Sequence, residues 1–576
     1  MSTALRVYSN EDDALLFWNS FEPIRDCRGF AIERRLTRKG KTVTEVLVNR
    51  IGFAGEHIQP DEADHGKPST EWPFQRYSWI DHGANTGDTV SYRVIPMVRR
   101  AAGAALTRLD VQASPFSDPI TLGAVPPGSK CQAFFNRGFV MSQFMARYLR
   151  DNHLTLAQFK QQIQHAEHEE TEHVIRNFLS GDLRLTLLHL LDDAATTGAD
   201  VFAALFELSD DELIDALAKL GPRAHVVLAN GSIQKKTAET AADARTRDEN
   251  RAARATLRRA TVDVALRDRF ISPGALGLNK FLVVVRNGKP KQVWTGSTNW
   301  APTGLCTQVN NGILITDDRV AQIYREQWQR LRDAKSAFPT ELVTSNSQPH
   351  QAGDMTVWFT RAQKKADLDA LNAEVEKAKQ GVLFLMFMPG ATGVLATVMK
   401  LTANPHLFVR GVVSTLPNGR DDESEADVDV IDRTSSKPLH LEIVQPEGAH
   451  LPMSQFAAEV TRTQFLAGVG HAIIHSKVLV IDPFSDQAVV ITGSHNFSGS
   501  ASTANDENFV IIRGDKALAQ AYAVNAEAAY QHYRWRAFLA ETDRPFEGLS
   551  DDDRWQARKL QNAATELAFW GVSPTA

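Results

Sequence analysis

Cysteine is scarce. The 576 residues hold three, Cys27, Cys131 and Cys306, far apart and with no CxxC pair. That excludes a disulfide-built scaffold and a thiolate zinc site. Long hydrophobic runs are missing too: the longest apolar stretch, Val382 to Met388, is strand-sized, well short of the roughly eighteen residues a spanning helix needs. The N-terminus places acidic residues where a secretory leader would carry its apolar core, so a cytoplasmic location is expected. Nor is there an excess of positive charge. With 63 basic residues against 69 acidic ones, the net charge is −6, which gives no global pull toward nucleic acid or anionic lipid and leaves only a local basic cleft. No GxGxxG, Walker loop or HExxH occurs, so nucleotide-cofactor and zinc-protease chemistry have no footing.

What is present is ordinary globular composition, 43% apolar and 23% charged, on a chain too long for one core. Residues 1–123 read as an all-β sandwich. Short alternating runs such as Ala31–Leu36, Val43–Val48 and Val90–Val94 are separated by Gly, Asp, Asn and Pro, the spacing of paired antiparallel sheets. The stretch 77–98, YSWIDHGANTGDTVSYRVIPMV, resembles the fibronectin type III pattern. Proline and glycine at 119–129 mark a linker, which predicts a separable N-terminal domain.

The rest of the chain is duplicated. Residues 278–311 align without a gap on 475–508, at a constant offset of 197. Lys280 meets Lys477, Gly296-Ser297 meets Gly493-Ser494, Asn299 meets Asn496, and Asn311 meets Asn508. Buried strands followed by amphipathic helices (Ala204–Leu220, Leu383–Leu401) predict α/β halves, 129–345 and 346–576, with a largely parallel, doubly covered sheet in each. Half one carries extra helices near 141–198 and a charged stretch at 234–269, expected to be a solvated helix face rather than a basic rim. Half two carries an acidic loop around Asp421–Asp432 and a Pro- and Gly-containing loop before 471.

The chemistry concentrates in half two. His475 and Lys477 stand two apart on an alternating apolar strand and share a face. Asp482 follows, then Gly493, Ser494 and Asn496, and Glu507 eleven residues on. One ammonium, two neutral donors and an imidazole suit a tetrahedral anion. A neutral imidazole can attack phosphorus and form a phosphohistidine that water or an alcohol resolves, with carboxylates orienting the ring.

These motifs, HxKxxxxD followed by GSxN, resemble those of the phospholipase D superfamily over about 130–545. The resemblance implies two α/β/α halves about a pseudo-twofold axis and one metal-independent site. It implies His475 as nucleophile, Lys477 and Asn496 on the phosphate, Ser494 in a supporting hydrogen bond, Glu507 on the far nitrogen of His475, and Asp482 supporting the motif. In half one, Lys280, Ser297 and Asn299 keep the phosphate-binding pattern, but Leu278 replaces the histidine, Val285 the aspartate, and Asn310 stands at the position of Glu507. Half one can then bind phosphate but offers no general acid at 278, so protonation of the leaving group is expected to limit the rate. His495 and His471 are the replacement donors the sequence offers. The expected activity is a phosphodiesterase acting first on a phospholipid, with no cofactor, no metal and peripheral membrane contact allowed. A metal-independent nuclease and a non-catalytic phosphodiester-binding protein are the alternatives. The cluster His165, His168, Glu169, Glu172 and His173 is expected to be a solvated helix face rather than a metal site.

Overall fold

The computed structural model describes residues 2–53, 56, 66–138, 153, 155, 158, 161–163, 174–231, 239–240, 243, 246–265, 276–390, 393–413, 427–432, 439–442, 474–541 and 548–573. The 165–173 histidines, His471, the Pro- and Gly-containing loop before it, and residues 421–426 of the expected acidic loop lie outside them, while Asp427–Asp432 is a strand paired with Phe408–Val413. Among the described residues no helix is long and apolar enough to cross a membrane.

The N-terminal region is built on two main antiparallel sheets, with a small two-stranded one from Val48–Asn49 and Lys67–Pro68. One orders Ala4–Ser9, Ala14–Asn19 and Ser78–Asp81; the other orders Ile120–Thr121, Thr89–Val98, Cys27–Arg38 and Lys41–Val46. All six residues of Ala14–Asn19 are buried. An outer sheet strand normally wets one face, and this one does not because the C-terminal segment covers it. Phe17 stacks on Trp570 at 4.7 Å, Tyr8 Oη donates to the Trp570 carbonyl at 2.9 Å, and Asn19 Nδ2 donates to the Val572 carbonyl at 2.9 Å. Gln556 exchanges bonds with Ile24 in both directions. The sandwich is therefore packed into the rest of the chain. This shared core argues against the separability expected from the linker alone.

The duplication is plain in the two larger sheets. The first runs Cys131–Phe135, Asn311–Ile315, Lys289–Gly296, Lys280–Arg286, Asp200–Leu205, Ala224–Leu228 and Asp263–Val264. The second contains the same order in Met355–Phe359, Asn508–Arg513, Val489–Gly493, Val478–Ile481, Gly381–Met386 and Phe408–Val413, with further strands at both edges. Neither sheet is largely parallel. Parallel pairing is confined to Asp200–Leu205 and its two outward neighbours in the first sheet, and to Gly381–Met386 with Phe408–Val413 in the second. The apolar runs that suggested parallel strands are buried on both faces for another reason: each sheet is covered on both sides. A tight turn through Asn287 and Gly288, both with positive φ, makes Lys280–Arg286 and Lys289–Gly296 an antiparallel hairpin.

Helices Asp318–Ala334 and Lys516–Glu541 contribute to the apolar core shared by the inward faces of the two sheets. Each sheet's other face carries its own core. The inner helices also clasp the halves reciprocally. Tyr324 Oη donates to Asn508 Oδ1 at 3.0 Å, and Asn311 Nδ2 donates to Tyr522 Oη at 3.1 Å.

Candidate active site

Backbone geometry first fixes where the motifs meet. Gly296 and Gly493 have φ of 143° and 157°. A Cβ on either would lie 2.4 or 2.3 Å from the carbonyl oxygen of Asn311 or Asn508, so only glycine lets these strands close up. The halves then touch through two isolated parallel bridges, Val309 to Ile474 and Gly277 to Asp506. The amides of His475 and Ser476 both donate to the Val309 carbonyl at 2.9 Å, and the Asp506 amide donates to the Leu276 carbonyl at 2.9 Å.

This crossing reassigns two residues. Residue 310 of half one is delivered to His475, while Glu507 of half two is delivered toward position 278. The His475 Nδ1 lies 2.9 Å from Asn310 Oδ1. Glu507 instead accepts from the Asn496 amide at 2.8 Å and from Asn505 Nδ2 at 2.9 Å. The expectation that Glu507 backs His475 is therefore corrected. Asn310, read in the sequence as a lost position, does so. Its orientation is held from three sides: Nδ2 donates to the Gly304 carbonyl at 2.8 Å, the backbone amide donates to Asn136 Oδ1, and Ser297 Oγ donates to Oδ1 at 2.7 Å. With Nδ2 committed to a carbonyl, Oδ1 faces the imidazole and can only accept. Nδ1 therefore carries the proton, and the lone pair sits on Nε2.

Burial, then the charges of Lys477 and Lys280, hold the His475 pKa well below the usual imidazole range, so the ring is neutral at neutral pH. Lys477 Nζ donates to the His475 carbonyl at 2.5 Å and Lys280 Nζ to the Leu278 carbonyl at 2.8 Å. The two ammonium groups lie over Phe387 and Phe206, at 4.7 and 5.1 Å from the ring centroids. Both lysines are buried. Burial, opposed by Glu507 and Glu207, brings Lys280 down to about 8. Burial and Lys280 likewise hold Lys477 well below the usual lysine range, opposed by Glu507. Two buried lysines whose charged forms are held down by burial gain by the arrival of an anion between them.

The asparagines of both GSxN motifs carry a buried Oδ1 with no partner among the described residues. Amide oxygen and nitrogen are interchangeable in such an assignment, so each amide is an unsatisfied polar group at the site. Asn299 Nδ2 donates to Glu207 Oε2 at 2.8 Å. Ser297 Oγ accepts from the Asn311 amide and Ser494 Oγ from the Asn508 amide, both at 3.0 Å. These hydroxyls tie down the motif turns.

Three expected residues stand away from the chemistry. Asp482 lies past the far end of Val478–Ile481, where its carboxylate accepts from the amides of Lys379, Gln380 and Gly381 at 2.7 to 3.1 Å. It fixes the start of Gly381–Met386. Val285 pairs with Asp200 in the first sheet, at a register shift. His495 is fully buried with both nitrogens engaged, Nε2 to Asp367 Oδ2 and Nδ1 to the Phe497 amide, each at 2.9 Å. It cannot serve as the replacement acid. Helix Arg251–Arg259 is not simply solvated either: Arg254 turns inward onto the carbonyls of Leu228 and Ala229.

The sequence reading missed Phe206, Glu207 and Phe387. They sit just past the ends of strands Asp200–Leu205 and Gly381–Met386, outside the gapless repeat. Aligning those strand ends would have found them.

The family model for the cardiolipin synthase, PLD-like domain matches residues 420–529. That matched stretch of half two carries His475, Lys477, Ser494, Asn496 and Glu507, and it is this part of the chain that is similar to the PLD-like family. Among solved structures the chain is similar to phosphatidylserine synthase of Haemophilus influenzae, at 10% identity over 68% of this chain and 93% of that one, with a TM-score of 0.37. It is also similar to Nuc, a phospholipase D family member of Salmonella typhimurium, at 16% identity over 26% and 87%, TM-score 0.20. The yeast tyrosyl-DNA phosphodiesterase gives 11% identity over 57% and 88%, TM-score 0.32. No curated protein matches the chain.

Proposed function

We propose that the protein is a phosphodiesterase that cleaves or transfers its substrate through a phosphohistidine on His475. The observation that carries the reading is the bond from His475 Nδ1 to an oriented Asn310, which leaves a nucleophilic lone pair on Nε2 beside two buried lysines. A phosphodiester bound by Lys280, Lys477, Asn299 and Asn496 presents phosphorus to that lone pair. Fixed donors in a site shielded from water stabilise the charge that builds on the equatorial oxygens. The alcohol leaves, and water or a second alcohol then takes the phosphoryl group from nitrogen.

A phospholipid is the first substrate class, because the matching family model bears the name of a phospholipid synthase. Nucleic acid is the second, since the same four groups would hold any phosphodiester. The N-terminal sandwich has no group in this chemistry.

The test is acid-sparing quench of the protein with a phosphodiester, followed by mass spectrometry. Phosphate is expected on His475, and His475→Ala should abolish both label and turnover. Unchanged turnover in His475→Ala would sink the assignment. A panel of choline- and ethanolamine-containing vesicles beside DNA and RNA, each with and without EDTA, distinguishes the substrate classes. Activity is expected to survive EDTA.

A further inference from the structure

The first half lacks its histidine at 278, and a strong nucleophile does not by itself expel an alkoxide. Position 278 is an apolar residue packed with Phe206, Leu276 and Ala229. The strands beside it show what stands in its place. Asp200–Leu205 pairs antiparallel with Lys280–Arg286, with Leu205 opposite Lys280. One residue forward on one strand is one back on the other, so that register carried two steps on sets Glu207 opposite 278. In the second half, Leu385 lies opposite Val478, and that register carried three steps on sets Met388 opposite His475. Phe387, the neighbour of Met388, lies 4.8 Å from the His475 ring. The halves have exchanged chemistry across one strand pair: histidine with methionine in half two, leucine with glutamate in half one.

We propose that Glu207 is the general acid and base of this site, taking the part that a histidine at 278 would play. This rests on the phosphodiesterase reading above. Glu207 is half-buried, so it can exchange protons with solvent. It is held by Asn299 Nδ2 at 2.8 Å, which ties it to a residue expected on the phosphate, on the half-one side opposite the nucleophile. Among the described residues, the charged groups acting on it are Lys280 on the adjacent strand and Glu249, just ahead of helix Arg251–Arg259. Burial and Glu249 push its pKa up, against the pull of Lys280 and the Asn299 bond, and the net shift is upward. A carboxyl raised in this way keeps its proton to higher pH and can donate it.

The steps balance. The Nε2 lone pair of His475 forms the P–N bond while the bond from phosphorus to the leaving oxygen breaks. That oxygen keeps the electron pair and takes the Glu207 proton, leaving a carboxylate. The carboxylate then removes a proton from water as its oxygen attacks phosphorus. The P–N bond breaks back to Nε2, and Glu207 ends protonated.

The experiment compares a short-chain dialkyl phosphodiester with bis(p-nitrophenyl) phosphate, on full-length wild type and Glu207→Gln. Glutamine can still accept from Asn299, and melting curves check the fold. An alkoxide needs the proton and a nitrophenolate hardly does. Turnover of the alkyl ester is expected to fall about 10²-fold or more, the aryl ester far less, and the alkaline limb of the alkyl kcat profile, read at saturating substrate where the bound anion keeps the lysines charged, should vanish. Leu278→His added to Glu207→Gln should recover part of the alkyl rate, with Glu507 waiting beside the new ring. If Glu207→Gln keeps the alkyl rate within a few-fold of wild type with the same alkaline limb, while His475→Ala is inactive, Glu207 only anchors Asn299. If wild type gives neither turnover nor phosphoenzyme with either ester, the phosphodiesterase reading itself falls, and this role with it.

Discussion

At the scale of single residues, the site runs on suppressed charge. His475 is neutral because burial and two lysines forbid a third cation, and its partner is an amide rather than a carboxylate. Asn310→Asp would put a negative charge 2.9 Å from Nδ1 and favour the imidazolium. The acid limb of phosphoenzyme formation, set by protonation of His475 and lying below the ordinary imidazole range in wild type, should therefore move to higher pH. Rapid quench across pH reads this, and an unmoved limb would mean that Asn310 does not face the nucleophile. The lysines make a second prediction. Burial brings Lys280 down to about 8 in the free protein and holds Lys477 well below the usual lysine range. An anion between them favours their charged forms, so its binding must take up protons near pH 8. Calorimetric titration with inorganic phosphate, in buffers of different ionisation enthalpy, should show net uptake that shrinks on the acid side, where Lys280 is already charged. Uptake independent of pH would argue against this pair as the receptor.

At the scale of elements, Asp482 belongs to strand placement. Three successive backbone amides converge on its carboxylate, and bonds to a charged acceptor contribute about 1.5–3 kcal/mol each. Asp482→Ala should lower stability by on the order of 2 kcal/mol or more, read by denaturant unfolding, while the rate per folded molecule changes little. A large loss of rate with unchanged stability would return the residue to the chemistry. The same contrast shows what the sequence made legible. Lys280, Lys477, Asn299 and Asn496 were readable because period-two alternation fixes which residues share a strand face, and a gapless repeat carries that face from one half to the other. The partner of His475 was not readable, because it comes through a bridge between residues far apart in the chain. The repeat pairs Asn310 with Glu507 as equivalents and cannot say that each serves the opposite half. Sheet direction failed for a related reason. Apolar runs report burial on both faces, and burial here comes from a second sheet and two inner helices as much as from crossovers.

At the scale of the whole molecule, the N-terminal sandwich and the C-terminal segment share one interface. Removing residues before Gly128 would strip Phe17 from Trp570, break the Gln556–Ile24 exchange, and take away the Glu11 carboxylate that accepts from the Phe135 amide at 2.5 Å. A chain starting at Gly128 is therefore expected to be insoluble or much less stable, measured by soluble yield and thermal melting. A soluble, fully active truncation would show that the shared interface is dispensable. The reciprocal bridges at the centre have a further consequence. Each half holds a group that meets the other's strand end, so on the proposed chemistry no active unit is expected below the pair, and a lesion in the first half should be felt as a defect at His475. Catalytic competence belongs to the fit between the halves. A chain nicked between them, near the exposed turn at 347–349, would then act like two mutually obligate strangers: each inert when purified alone, and jointly able to regain the site by recognising each other's buried face, with no peptide bond to enforce the meeting.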